Sequence, residues 1–179
     1  MGKNVLVVVD MQNDFIDKAL WTPEAQAIVQ NVIGKINGME KGETILVTRD
    51  THYIQSYFGS LEGKKLPVAH CIKGTDGWEV NADVQAALDK AAEQGVTVKY
   101  FDKPTFGSKE LANWWISPEE EIKICGLCTS ICILNNTLLL RAAHPNTVIK
   151  VDQNATACVN PESKEAALAA MRMCQIDVI

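Results

Sequence analysis

The sequence predicts a three-layer α/β fold, with a mostly parallel sheet held between two layers of helices. Short, β-branched apolar runs alternate along the chain with helical hydrophobic patterns, as βαβ units require. These runs are continuously apolar, which is the pattern of strands buried on both faces. The chain has 179 residues, 47% of them apolar and 22% charged. That is enough for one domain, residues 1–179, to bury a core without disulfides or a structural metal.

The elements follow in order. Asn4–Val9 reads as the first buried strand. Thr22-Pro23-Glu24 supplies an N-cap and a proline for the first helical turn, and Ala25, Ile28, Val29, Val32, Ile33 and Ile36 then repeat at helical spacing. Glu43–Thr48 is the second strand. Arg49 to Val80 is a segment of about thirty residues rich in Gly, His, Pro and Tyr, a length that usually marks a functional loop. Asn81–Gln94 is helical, and Gly95 is placed to end that helix. Val96–Tyr100 is the third strand, Ser108–Trp115 a short helix and Glu121–Cys125 the fourth strand. Gly126–Ser130 is expected as a tight turn, and Ile131–Ala143 as an apolar helix buried on most sides. Thr147–Val151 makes a fifth strand. A helix follows from Asn160-Pro161 to Met173, and Asp177–Ile179 makes a short sixth strand. The first strand is not followed by GxGxxG, and the turn after the fourth carries no Walker lysine, so neither nucleotide fingerprint is present.

The charge excludes some partners. Seventeen Lys and Arg against 22 Asp and Glu give a net charge of −5, which argues against nucleic acid, whose binders need a basic footprint. No apolar run approaches the roughly 20 residues that cross a bilayer, so no membrane partner is expected. Gly2 and Lys3 lead straight into a strand, which is neither a signal peptide nor a myristoylation context. The expected compartment is the cytoplasm. There the six cysteines, Cys71, Cys125, Cys128, Cys132, Cys158 and Cys174, should be packing residues, ligands or a nucleophile rather than disulfides.

In open α/β sheets, sites form beyond the C-terminal ends of the strands. Asp10 follows strand one, Asp50 and His52 strand two, Lys103 strand three, and CGLCTS with Cys132 strand four. Cys132 at the start of a helix could be a structural thiol or a nucleophile, since a helix N-terminus favours a thiolate and an oxyanion. Asp10 could cap or pair, or could act as its general base. Lys103 could be solvated, or could lower the thiol pKa and offset transition-state charge. Asp50 and His52 point the same way along an extended segment, and His70 follows eighteen residues later. Two imidazoles and a carboxylate suit zinc, iron or manganese with positions left open. Asp14 and Asp17 read as solvated or capping, and His144 as a helix C-terminal cap. Cys125 and Cys128 form a CxxC, but Cys125 falls inside strand four and no second pair exists for a zinc knuckle.

VVVDMQNDF, LVTRDTH, HCIKGTDGW, KPTFGS and GLCTSICI together resemble the isochorismatase-like cysteine hydrolases, and within them the nicotinamidases. The likeness covers nearly the whole chain. It implies a six-stranded sheet in the order 3-2-1-4-5-6 and a triad on Asp10, Lys103 and Cys132. It implies a cis peptide at Leu127–Cys128, an oxyanion hole from the N–H groups of Cys128 and Cys132, and substrate contacts from Phe15 and Leu127. It further implies a divalent metal, zinc before iron or manganese, on Asp50, His52 and His70, completed by a substrate ring nitrogen. Dimers or tetramers are usual in the family. Two departures stand out. The usual D-W-H-P-x-x-H-x-S-F reads DTHYIQSYFG here, and Cys128 replaces an alanine. The expected activity is hydrolysis of a small-molecule carboxamide, nicotinamide first, through a cysteine thioester. The alternatives are another small amide, carbamoyl compound or ureide, isochorismate-type vinyl-ether hydrolysis, an inactive binding protein, or redox use of Cys125 and Cys128.

Overall fold

The computed structural model describes residues 4–179, so Gly2 and Lys3 lie outside the described residues. Six strands form one sheet: β1 (Asn4–Val9), β2 (Thr44–Asp50), β3 (Thr97–Lys103), β4 (Glu121–Leu127), β5 (Val148–Ala157) and β6 (Asp177–Val178). All pair in parallel, in the order β3-β2-β1-β4-β5-β6. The helices are α1 (Asn13–Ile16), α2 (Pro23–Asn37), α3 (Ile54–Tyr57), α4 (Leu61–Lys65), α5 (Ala82–Glu93), α6 (Lys109–Ala112), α7 (Leu134–Ala143) and α8 (Pro161–Met173). Among the described residues, no helix is long and apolar enough to cross a membrane.

The apolar run of β1 is continuous because each face of the strand has its own core. Leu6 and Val8 pack with Val32 and Ile36 of α2 and Leu88 of α5. Val5, Val7 and Val9 pack on the other face with Leu140 of α7 and Leu168 and Met171 of α8. Each such aliphatic side chain contributes about 1.5–3 kcal/mol by leaving water. The two longest helices start as the sequence indicates. Thr22 Oγ1 accepts from Ala25 N at 3.0 Å and Asn160 Oδ1 from Ser163 N at 2.8 Å, each followed by proline.

Some boundaries differ from the sequence expectation. Lys103 is the last residue of β3, paired with Asp50, rather than a residue of the following loop. The parallel ladder continues into polar residues wherever a neighbouring strand is there to pair. β5 runs to Ala157 for the same reason and holds Gly126 and Leu127 of β4 in register with Thr156 and Ala157. Residues 129–133 form a π-helical turn instead of a tight turn. The apolar helix has exposed positions, Ile131 and Leu138. The long segment after β2 holds two short helices, α3 and α4.

The chain leaves β1 toward β2 and β3, and later leaves β4 in the opposite direction toward β5 and β6. The C-terminal ends of β1 and β4 therefore flank a topological switch point, where a crevice opens above the sheet.

Candidate active site

Three strand ends place three buried ionic groups together at that crevice. Asp10 directly follows β1 with φ +50. Its backbone N–H donates to Thr48 O at 3.1 Å, and Thr48 Oγ1 donates to its Oδ1 at 2.6 Å. Lys103 reaches from β3 across β2. Its Nζ lies 2.7 Å from Asp10 Oδ2, 3.3 Å from Asp50 Oδ1 and 3.5 Å from Cys132 Sγ. Asp10 is fully buried, and Lys103 and Cys132 nearly so. Asp10 Oδ2 has the Lys103 ammonium as its charged partner.

Burial dominates the electrostatics. It raises the Asp10 carboxyl above the usual carboxylate range, against the pull of Lys103. Burial also opposes the Lys103 charge, but Asp10, Cys132 and Asp50 outweigh it and hold the ammonium. The Cys132 thiol is pushed well up by burial and by Asp10, with Lys103 acting in the opposite direction. The sequence argument expected a helix N-terminus to stabilise a thiolate. Burial, Asp10 and Asp50 act against a thiolate here, and Lys103 acts for it.

Cys132 sits in the π-helical turn, whose first bonds run from the N–H groups of Ile131 and Ile133 to the Cys128 carbonyl, each 3.1 Å. The Leu127–Cys128 peptide is cis. Gly126 before it has φ +115, and a Cβ there would overlap the Val9 carbonyl of β1, so only glycine fits. Cys132 lies on the wall of a cavity of about 240 Å³, with Phe15, Phe106, Leu127 and Ile131 as its apolar lining. Asp50, Glu62 and His70 reach the same cavity.

Asp50 joins the ionic cluster to a second one. Its Oδ2 lies 3.0 Å from His52 Nε2 and 3.4 Å from His70 Nε2. Glu62 of α4 adds Oε1 at 3.7 Å and 3.6 Å from the same two nitrogens. These four donor atoms all lie within 4.8 Å of one another. Ligands bound at about 2.1 Å around a tetrahedral ion are separated by about 3.4 Å, so the donor set fits a divalent metal. The second ring nitrogen of His70 is fixed by Val68 O at 2.9 Å and Tyr57 Oη at 3.2 Å, which turns Nε2 toward the cluster. Burial disfavours the Asp50 carboxylate, but hydrogen bonds from His52 and His70 and the charge of Lys103 more than offset it and keep it ionised.

The sequence reading missed the supporting residues. Gln12 clamps the Asp50 backbone, accepting from its N–H at 2.7 Å and donating to its carbonyl at 2.8 Å, and donates to Trp78 O. Asp14 is buried rather than solvated, and accepts from Cys71 N at 2.7 Å next to His70. Cys125 is buried in the core beneath α2, away from the turn that holds Cys132. His144 ends α7 as expected, with Nε2 3.0 Å from Ala112 O.

The family profile described as "Isochorismatase domain" matches residues 4–179. The chain belongs to the isochorismatase family. In fold it resembles a Bacillus subtilis nicotinamidase/pyrazinamidase, with a TM-score of 0.82, 26% identity and 98% of each chain covered. It also resembles a Pyrococcus horikoshii pyrazinamidase solved with zinc, with a TM-score of 0.75, 26% identity, and 99% of this chain and 98% of that one covered. A Bacillus subtilis isochorismatase-family protein is 25% identical over 175 residues, 93% of each chain. The isochorismatase-like hydrolase fold, with its 3-2-1-4-5-6 sheet, is thus shared along nearly the full length.

Proposed function

We propose that this protein hydrolyses the carboxamide of a small heteroaromatic molecule, nicotinamide first, to a carboxylate and ammonia through a thioester on Cys132. The observation that carries this reading is the contact of Lys103 with both Asp10 and Cys132 on the wall of an apolar cavity. The size of that cavity supports it. About 240 Å³ is below the 300 Å³ or so at which drug-sized pockets begin, so it suits one ring and its amide.

The chemistry follows from the residues. With a carboxamide carbon held near Cys132 Sγ, Asp10 takes the thiol proton as the sulfur attacks. Deprotonation accompanies attack because burial holds the resting thiol protonated. Lys103 stays charged and offsets the negative charge passing between sulfur and carboxylate. The backbone N–H groups of Cys128 and Cys132 receive the oxyanion. Protonated Asp10 returns its proton to the leaving ammonia, and then activates a water that releases the acid. Asp50, His52, His70 and Glu62 would hold a zinc ion, whose contribution is a Lewis-acid position that orients a ring nitrogen. Phe15 packs against the ring from the side of His70, 5.6 Å away between centroids.

An ammonia-release screen over nicotinamide, pyrazinamide, ureides and small aliphatic amides tests the proposal. Release from the two heteroaromatic amides is expected. Release from ureides or aliphatic amides alone would overturn the choice of substrate, and no release from any of them would overturn the hydrolase reading.

A further inference from the structure

Cys128 is not the partner of Cys125. It stands beside Cys158, and nothing in the proposed reaction uses either thiol. We propose that Cys128 and Cys158 are a modification site: they form a reversible disulfide when a peroxide enters the cavity, and the link disables the turn that carries Cys132.

The backbone brings the two residues together. β4 and β5 are in parallel register through Leu127↔Ala157, so the next residues on each strand are Cys128 and Cys158. Neighbouring strands lie about 4.8 Å apart, inside the roughly 4.4–6.8 Å between Cα atoms that a disulfide spans. Cys158 is the neighbouring group that, with burial, raises the Cys128 thiol. Cys128 and Val159 line the cavity, which gives a small oxidant a path to the pair.

The two sulfurs are not equivalent. Ser130 Oγ lies 2.9 Å from Cys158 Sγ. Burial works against a thiolate at Cys158, but hydrogen bonds from Ser130 and from the backbone N–H groups of Ser130, Asn160 and Val159 outweigh it and hold this thiol below its ordinary value. Burial pushes the Cys128 thiol up to about 12. Cys158, buried behind the cavity-lining Cys128 and Val159 and held by Ser130, is therefore the more readily ionised sulfur, the one assigned to react with oxidant that passes them, and Cys128 the one that resolves.

The Cys158 thiolate attacks a peroxide oxygen. The S–O bond forms, the O–O bond breaks, and hydroxide leaves, giving a sulfenic acid. The Cys128 thiol then gives up its proton and attacks that sulfur. The S–S bond forms, the S–O bond breaks, and water leaves. Two electrons pass from the sulfur pair to the peroxide, and a dithiol restores both thiols by exchange.

The Cys128 carbonyl accepts from Ile131 and Ile133, the bonds that open the turn bearing Cys132. Drawing Sγ to about 2.05 Å from its partner moves Cys128 and with it the N–H assigned to the oxyanion. This effect on activity rests on the proposed hydrolysis, whereas formation of the disulfide does not.

The test exposes the protein to hydrogen peroxide, blocks free thiols, and maps peptides without reduction. The expected result is a peptide pair linked through Cys128 and Cys158 that dithiothreitol separates. Ammonia release from nicotinamide should fall by on the order of tenfold or more and recover with dithiothreitol. Cys158→Ala, or Cys158→Ser should the alanine variant not fold, should keep the untreated rate and lose both the linked peptide and the recoverable inactivation. The proposal is overturned if Cys128 and Cys158 stay unlinked, if Cys128 links instead to Cys132, or if Cys158→Ala still loses and regains activity. If untreated protein releases no ammonia from nicotinamide, the choice of substrate fails and the linked peptide alone decides the disulfide.

Discussion

Replacing Lys103 by methionine removes a cation that three buried groups share. The ammonium lies 2.7 Å from Asp10, 3.3 Å from Asp50 and 3.5 Å from Cys132. Deleting one member of a buried pair strands the other charge at a cost of about 3–5 kcal/mol. Lys103→Met should lose that much stability to urea at neutral pH. Asp10→Asn/Lys103→Met removes charge and counter-charge together, so its loss should be smaller than the sum of the single losses by about 2–3 kcal/mol. The pH dependence has a fixed sign. Asp10 already titrates above the usual carboxylate range, and without Lys103 it titrates higher still. Below the wild-type value the carboxyl is protonated in both proteins and the penalty disappears. The stability gap between wild type and Lys103→Met should therefore be small in acid, open as pH rises past the wild-type Asp10 pKa, and level off above the variant's higher one. Ammonia release by the folded variant should fall by about 10²–10⁴. Additive losses, or a gap that widens toward acid, would refute the assignment of Lys103 as the shared counter-charge.

Three further outcomes follow from the same geometry. His52→Ala removes a donor 3.0 Å from Asp50, and should weaken zinc binding by at least about tenfold. Equilibrium dialysis and the zinc-dependent rise in melting temperature measure this, and wild-type affinity in the variant would exclude His52 as a ligand. Gly126→Ala places a Cβ against the Val9 carbonyl at φ +115, and should cost about 3 kcal/mol or more; a urea midpoint within error of wild type would contradict this. Gln12→Ala strips partners from the Asp50 N–H and carbonyl and from the Trp78 carbonyl, and should cost about 2–3 kcal/mol. It should also lower zinc affinity through Asp50, and unchanged affinity would show that the clamp acts on stability alone.

The sequence made most of the sheet legible because parallel strands buried on both faces read as unbroken apolar runs. Where a strand continues into polar residues, as at Lys103 of β3 or Thr156 of β5, composition carries no such mark and only the neighbouring strand reveals the element. Asp10, Lys103 and Cys132 were legible as strand-end residues, and the structure brings them within one ionic cluster. Glu62 was not. It lies on a five-residue helix inside the long segment, and its approach to His52 and His70 depends on how that segment folds back. Of the two readings of Asp14, solvated or capping, the solvated one fails, because the side chain is buried and accepts from the backbone N–H groups of Ala19 and Cys71. The CxxC spacing was equally uninformative. Strand alternation turns Cys125 into the core, and strand register, which no local pattern encodes, leaves Cys128 and Cys158 each one residue beyond the paired Leu127 and Ala157.

The central claim is that Cys132 is the attacking group, and the rate of Cys132→Ala tests it most directly. The substitution removes one buried sulfur and leaves Asp10, Lys103, the Asp50–His52–Glu62–His70 cluster and the cavity in place. With nicotinamide at saturation, the folded variant should release ammonia at least about 10⁴-fold more slowly than wild type. Release within a few-fold of the wild-type rate would contradict the account.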